Sequence, residues 1–392
     1  MCGPKIITHD DFNAGFMEAS IATYGNSGNY VASPMSVLVL MSALLTAKGP
    51  QGDTAKEICE ALVGKSKKHT CTVDADYREV VSLLEKIRTG VETAKSPEGK
   101  SVLQISDAAF IKKSLSVEDD FIKKFTFFQG DKVMRTLFNT SDAFESINEW
   151  ANASTDGLIP KYLNSKDELS PNTLLVLLNA ITFKDNWLTQ FLTEVTKNRD
   201  FRLTKSETIQ VPMMIMEEKL IYIEECDYKV LAKPFRNERF RFVVFLPQED
   251  FELGDIEEAI KNGNFKWNKV TNQDNLRQMR LMLPKFKVEN KLDLKPILER
   301  LGIKSIFSPS DADLRGISAD TNLYASDAKQ VAMMDVDEAG VKAAAVSGTE
   351  SMNRIMTPKP TQFHVDQPFY CAIYDSQLDM PLFIARIVNP RQ

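Results

Sequence analysis

Leu174-Leu175-Val176-Leu177-Leu178-Asn179-Ala180-Ile181-Thr182-Phe183 is an almost unbroken apolar run. A strand covered on one face alternates apolar and polar residues, whereas one covered on both faces does not. The run is therefore read as a central strand packed on both sides. Further strands are read at 101–112, 240–246, 329–336, 368–374 and 382–388. Helical signals lie mainly in the first third of the chain. Ser33-Pro34 supplies an N-cap and a first-turn proline, and 35–47 is apolar almost all round, as in a helix buried at the centre of a fold. Helices follow at 53–62 and at 77–89, the latter with Val80, Val81, Leu84 and Ile87 on one face. Another spans 144–153, closed by Asp156-Gly157. A short one is capped by Asp293, carries Leu294, Ile297, Leu298 and Leu301, and stops at Gly302. Strands and helices interleave without βαβ rhythm, repeat or linker, which makes residues 1–392 a single α+β domain.

The chain has 392 residues, 43% of them apolar and 26% charged, with a net charge of −6. That balance argues against a nucleic-acid or glycosaminoglycan binder. The basic stretch 65–69 and the group Arg236, Arg239 and Arg241 are read as solvated loop or strand faces. No apolar run reaches the roughly 20 residues of a membrane span, and no secretory signal is visible at the start. The five cysteines, Cys2, Cys59, Cys71, Cys226 and Cys371, have no metal spacing. The favoured reading leaves all of them free, with Cys226 and Cys371 buried in strands. The alternative pairs Cys59 with Cys71 in an oxidising compartment. Asn139 and Asn152 each begin a glycosylation triplet.

Enzymatic readings fail one by one. There are three histidines, His9, His69 and His364, and none sits in a His-Glu-x-x-His motif. No Gly-x-Ser-x-Gly elbow, phosphate loop or dinucleotide fingerprint occurs. Glu217-Glu218 and Glu224-Glu225 are adjacent, so in a strand they point to opposite faces and are read as surface charge. The chain is read as a non-enzyme without cofactor or metal.

One segment gains a fold little. Asp337-Glu338-Ala339-Gly340-Val341-Lys342-Ala343-Ala344-Ala345-Val346 is a strand-like run of small residues. Polar, core-poor sequence follows to Thr361. Loops of such length are functional or disordered; this one carries Arg354 and is tethered at both ends to strands.

Several blocks in order resemble the serpin family, end to end. They are Ala32-Ser33-Pro34-Met35-Ser36, Asn148-Glu149-Trp150 through Leu158-Ile159, Asn179-Ala180-Ile181-Thr182-Phe183-Lys184 with Trp187 and Phe191, Leu283-Pro284-Lys285-Phe286-Lys287-Val288, Asp366-Gln367-Pro368-Phe369, and Asn389-Pro390. The resemblance implies three β-sheets, eight or nine helices and an exposed reactive-centre loop at about 340–361. It implies a monomer that traps a serine protease: the loop is cleaved, an acyl-enzyme forms, and the cleaved loop enters the main sheet as a new strand. Serpin loop insertion is a standing example of strand addition and of switching, not something deduced from this chain. Family spacing from Gly340 sets the cleaved bond between Arg354 and Ile355, and counting back from Pro368-Phe369 agrees. An arginine there suits an acidic, trypsin-like pocket; a slip of two would offer Met352 to a chymotrypsin-like one. The hinge would comprise Glu338, Gly340, Val341, Lys342, Ala343, Ala344, Ala345 and Val346. Ser33, Ser36, Asn179 and Gln330 would form the shutter beneath the insertion path, and Trp187 would lie at the breach.

Strand parity sorts the loop. Val341, Ala343, Ala345, Ser347, Thr349 and Ser351 share one face, all small and uncharged. Lys342, Ala344, Val346, Gly348 and Glu350 share the other, so both charges fall on the side that family precedent leaves wet. Two departures stand out. Lys342 replaces a usual Glu and Val341 a usual Thr or Ser, and Gln330 occupies the shutter position where the family has a histidine. A glutamine still donates and accepts but does not titrate, so a weaker pH dependence of the native state is expected. The leading reading is an inhibitor of a trypsin-like protease acting outside the cell. The alternatives are a non-inhibitory carrier, chaperone or passive substrate, and a cytoplasmic, ovalbumin-like location.

Overall fold

The computed structural model describes residues 10–25, 28–63, 75–128, 130–250, 252–261, 265–319, 323–341 and 359–392. Among them are eight α-helices: α1 (Asp10–Tyr24), α2 (Pro34–Thr46), α3 (Gly52–Val63), α4 (Ala75–Thr93), α5 (Asp119–Phe125), α6 (Ser141–Ser154), α7 (Leu253–Lys261) and α8 (Lys295–Leu301). The strands are β1 (Tyr30–Ala32), β2 (Leu103–Lys112), β3 (Lys132–Thr136), β4 (Leu175–Phe183), β5 (Asp185–Asn186), β6 (Lys197–Arg202), β7 (Thr208–Glu224) and β8 (Tyr228–Pro234). They continue as β9 (Phe240–Pro247), β10 (Leu276–Pro284), β11 (Phe286–Asp293), β12 (Asp327–Val336), β13 (Gly340–Val341), β14 (Thr361–His364), β15 (Phe369–Asp375) and β16 (Met380–Ile387).

The main sheet runs β3-β2-β4-β12-β13-β5, with β11 on the other side of β12. The second ladder runs β1-β16-β15-β9-β8-β7-β10-β14, with β6 added to β7. Strand β7 is 17 residues long. It pairs with β6 and β10 along most of its length and with β8 from residue 221 onward. One shared strand thus joins two layers, and the three sheets of the resemblance are hydrogen-bonded as two continuous ladders.

Strand β4 is buried along its whole length, as its composition requires. Its two faces enter different cores. Leu175, Leu177, Ile181 and Phe183 join the large core shared with α2, while Val176, Leu178 and Ala180 pack with Ile147 and Trp150 of α6. The same parity holds in β2 and β12: Ile105, Ala109, Ala328 and Ala332 face the large core, and Phe110, Val331 and Met333 face α6. Helix α2 starts where expected: the Ser33 side chain accepts from the Ser36 N–H, Pro34 opens the first turn, and every residue from Pro34 to Leu45 is buried.

Several expectations need correction. Cys59 is disulfide-bonded, with its partner outside the described residues, so the all-free reading fails. Cys371 is buried and free, as expected, but Cys226 is exposed, because it falls in the bend between β7 and β8 rather than in a strand. Glu218 is not surface charge. It turns inward from β7 and its Oε2 accepts from Lys233 Nζ at 2.7 Å, a lysine that is fully buried. Nor is Arg239 a solvated strand face. It is paired bidentately with Asp375, whose side chain is 0% exposed, and it also donates to Gly90 O at 2.8 Å.

Arg239–Asp375 ties β9 and β15 to the end of α4, and Asp375 Oδ1 also accepts from Gln377 N and Leu378 N. Removing one partner strands a buried charge, which typically costs about 3–5 kcal/mol. Asp375→Ala is therefore expected to lower unfolding free energy by that order, read from urea unfolding. A loss below about 1 kcal/mol, the size of an exposed pair, would contradict a buried anchor.

Candidate functional site

Strands β4 and β12 run parallel and pair from Val176↔Asp327 to Ile181↔Ala332. Gln330 and Asn179 stand opposite each other in that register. Both side chains point from the sheet towards the N-terminus of α2, where Ser33 and Ser36 lie, and all four residues are 0% exposed. Buried polar groups require partners, and here they find one another. Gln330 Oε1 accepts from Ser33 N at 2.8 Å and its Nε2 points at Ser33 O at 2.9 Å, Ser36 Oγ at 2.8 Å and Asn179 Oδ1 at 3.0 Å. Ser36 Oγ donates to Asn179 Oδ1 at 2.6 Å. Asn179 Nδ2 donates to Ser36 O at 3.1 Å and to Asp107 Oδ1 at 2.8 Å. The four predicted shutter residues therefore form one hydrogen-bonded cluster across the seam between β4 and β12. Asp107, on β2 opposite Asn179, is a fifth member that the sequence reading missed.

Above Ile181–Ala332 the partners change. At Val336, β12 pairs antiparallel with Val341 of β13, and β13 pairs antiparallel with β5, which follows directly on β4. Strand β11 occupies the other side of β12 at Val336. Strand β13 therefore stands in line with the seam, and its chain direction runs down it, towards Gln330. Gly340 is the only residue type that fits: a Cβ there would sit 2.2 Å from Asp185 O. Val341 is 1% exposed and belongs to the large core.

Trp187 fastens this corner. It is 1% exposed, its Nε1 donates to Asp337 O at 2.8 Å, and its backbone N donates to Ala339 O at 2.9 Å. Its ring stacks on Phe235 with centroids 4.8 Å apart. Phe191 N donates to Glu338 O at 3.0 Å, and Glu338 Oε2 accepts from Lys285 Nζ at 2.6 Å. Beneath, the buried Lys233 ammonium lies 5.6 Å from the Trp187 ring centroid and donates to Thr189 O at 2.8 Å. Burial pushes the Lys233 pKa down, and the Glu218 carboxylate opposes that shift. Burial raises Asp185, which accepts from Asn186 N and Asn237 N, to about 6. Among the described residues no group of three or more His, Cys, Asp or Glu could hold a metal ion.

The arrangement is a sheet with a polar clasp low on its seam and a two-residue strand entering at the top. A family model described as "Serpin (serine protease inhibitor)" matches residues 9–390. This chain belongs to the serpin family. Human neuroserpin is 30% identical over 377 residues, 93% of this chain and 87% of the relative. Horse leukocyte elastase inhibitor is 30% identical over 373 residues, 93% and 94% of the two chains. A solved serpin from the trematode Schistosoma haematobium superposes with a TM-score of 0.85 at 28% identity, covering 98% of this chain and 100% of that one. As a serpin the protein is of a family described as serine protease inhibitors, and the horse relative is named as an inhibitor of leukocyte elastase.

Of the predicted hinge, Glu338, Gly340 and Val341 lie together beside Trp187, the predicted breach residue. Lys342 through Val346, Met352, Arg354 and Ile355 fall outside the described residues. Asn139 and Asn152 flank and occupy α6; Asn152 is exposed, whereas Asn139 is half-buried with its Oδ1 shielded from solvent. Lys285 and Lys233 were not legible as site residues. Lys233 lies in β8 and Lys285 in the one-residue break between β10 and β11, and only packing brings them to Trp187 and Glu338.

Replacing Gln330 by leucine keeps the volume and removes every bond this side chain makes across the seam. A buried donor such as Ser33 N–H left unpaired costs about 1–3 kcal/mol. Gln330→Leu should therefore lower the urea midpoint of the native state, followed by tryptophan fluorescence; an unchanged midpoint contradicts a clasp at this position.

Proposed function

We propose that this serpin is a suicide inhibitor of a trypsin-like serine protease, cleaved at Arg354–Ile355 and trapping the acyl-enzyme by insertion of its loop between β4 and β12. The observation that carries the reading is the position of β13. A strand continuing from Val341 would run antiparallel to both β12 and β4, entering a sheet already opened at its upper end. Val341 on the core side fits the parity that puts Ala343, Ala345, Ser347, Thr349 and Ser351 inward and leaves Lys342 and Glu350 outward. Small inward residues match a seam covered by α2, and no unpaired charge would be buried on the way.

The assignment of Arg354 rests on spacing from Gly340, whose identity the close approach to Asp185 explains. Insertion replaces the clasp with full ladders on both sides of the new strand, which is the driving force that would carry an attached protease along. The disulfide at Cys59 supports a working place outside the reducing cytosol. The relative named leukocyte elastase inhibitor supports inhibition as the family role nearest this chain, but not the target.

Incubation with trypsin should yield a complex that survives SDS and boiling, and Arg354→Ala should abolish it. Cleaved serpin with no such complex would instead mark a passive substrate. A second variant separates cleavage from trapping. On insertion, Ala345→Arg would have to bury a guanidinium on the inward face, at several kcal/mol. It should be cleaved at the wild-type rate and trap nothing; undiminished trapping would refute the insertion register.

A further inference from the structure

Gln330 removes a titrating group from the shutter, yet the cluster is not free of one. Asp107 is 0% exposed, and its Oδ1 accepts from Asn179 Nδ2 at 2.8 Å. Its Oδ2 is buried with no partner. The neighbouring Asp131 is also buried, but it is well served: its Oδ1 accepts from Asp107 N at 2.8 Å and its Oδ2 from Phe127 N at 2.8 Å and Phe128 N at 2.6 Å. Three N–H donors favour the ionised form of Asp131, but burial outweighs them and raises its carboxyl to about 6, so the two neighbouring acids compete for a proton. Asp107 has one donor, a like charge beside it and, among the described residues, no ion pair. An isolated carboxylate in such a place neutralises by taking a proton.

The surroundings offer nothing to offset a charge. Helix α2 and strand β4 carry no titratable residue, and β12 presents Gln330, its Lys329 being paired with Asp327. On the opposite face of the sheet α6 packs Ile147 and Trp150, with Asp142, Glu145 and Glu149 exposed. Lys132 of β3 is exposed, and Arg88 of α4 covers the Phe127 ring and pairs with Glu85 and Glu92.

We propose that Asp107 is the proton sensor of the seam: protonated while β4 and β12 are closed, it loses its proton to water as they part, so that rising pH favours opening. Asn179 provides the link. Its Oδ1 is held by Ser36 of α2 and by Gln330 across the seam, and its Nδ2 by Asp107 on β2, so withdrawal of β12 frees Asn179 and opens a path for water to the Asp107 carboxyl behind it. Burial first, and the Asp131 charge second, hold the Asp107 carboxyl well above the ordinary carboxylate range. The closed state therefore has the raised pKa. The stability it gains is complete below the open-state value, about 3.9 for a solvated Asp, and is lost as pH rises through the closed-state value. This sensor concerns the sheet itself and does not depend on whether the serpin inhibits a protease.

The test compares wild type with Asp107→Asn, an isostere of the neutral acid that keeps the oxygen facing Asn179. Hydrogen exchange of peptides covering 175–183 and 327–336 is followed from pH 5 to 8, corrected for intrinsic exchange. Asp185 contributes a slope of its own, which this variant leaves in place, so the difference between the two profiles is the readout. Wild type should open progressively more than the variant as pH rises, by up to about tenfold per pH unit while one proton is released. The infrared carbonyl band of a protonated carboxyl at neutral pH should vanish in Asp107→Asn. As a second variant, Asp131→Asn removes the like charge and should narrow the divergence. Superimposed profiles, an unaltered acid band or an unchanged divergence would each overturn the proposal.

Discussion

The hydrogen bond from Gln330 Nε2 to Asn179 Oδ1 crosses the seam between β4 and β12. Everything else near the site is arranged around it. Strands β4 and β12 are parallel neighbours, and parallel pairing in a doubly covered sheet leaves no solvent to take over a broken polar contact. The bonds among Ser33, Ser36, Asn179 and Gln330 hold these parts in one arrangement, and breaking some of them is costly. Under the proposed insertion, the seam would pass from clasped to filled by a further strand, with little stability in between.

The upper end of the sheet is built differently. There the contacts to the incoming chain are made by backbone and long side chains: Trp187 to Asp337, Phe191 to Glu338, Lys285 to the Glu338 carboxylate. The buried Lys233 under Trp187 is an expensive device, stabilised by Glu218 and by the aromatic faces of Trp187 and Phe191. Its effect is to fix the corner from which β13 descends. Under the proposed insertion, a strand continuing from Val341 would pass this corner first and reach Gln330 later.

Much of this was legible in the residues. The unbroken apolar run of β4 announced a strand covered on both faces, and Ser33-Pro34 announced the start of α2, because capping and periodicity are local. Gly340 was legible as a special position, although its reason, the backbone of Asp185, comes from a strand more than a hundred residues earlier in sequence. What was not legible is pairing at a distance. Asp107 reads as one acid in an apolar strand, and nothing local says that Asn179 and Asp131 will meet it. Likewise Glu218 and Arg239 look like surface charges until Lys233 and Asp375 are seen opposite them. The disulfide at Cys59 was missed for the same reason, since spacing alone does not bring two cysteines together.

The central claim is that the seam between β4 and β12 receives the loop as a strand. Hydrogen exchange across 175–183 and 327–336, measured before and after proteolytic cleavage of the loop, tests it most directly, with the melting temperature recorded on the same samples. Insertion predicts slower exchange in both strands and a markedly higher melting temperature after cleavage. Unchanged exchange and an unchanged melting temperature in fully cleaved protein would contradict it.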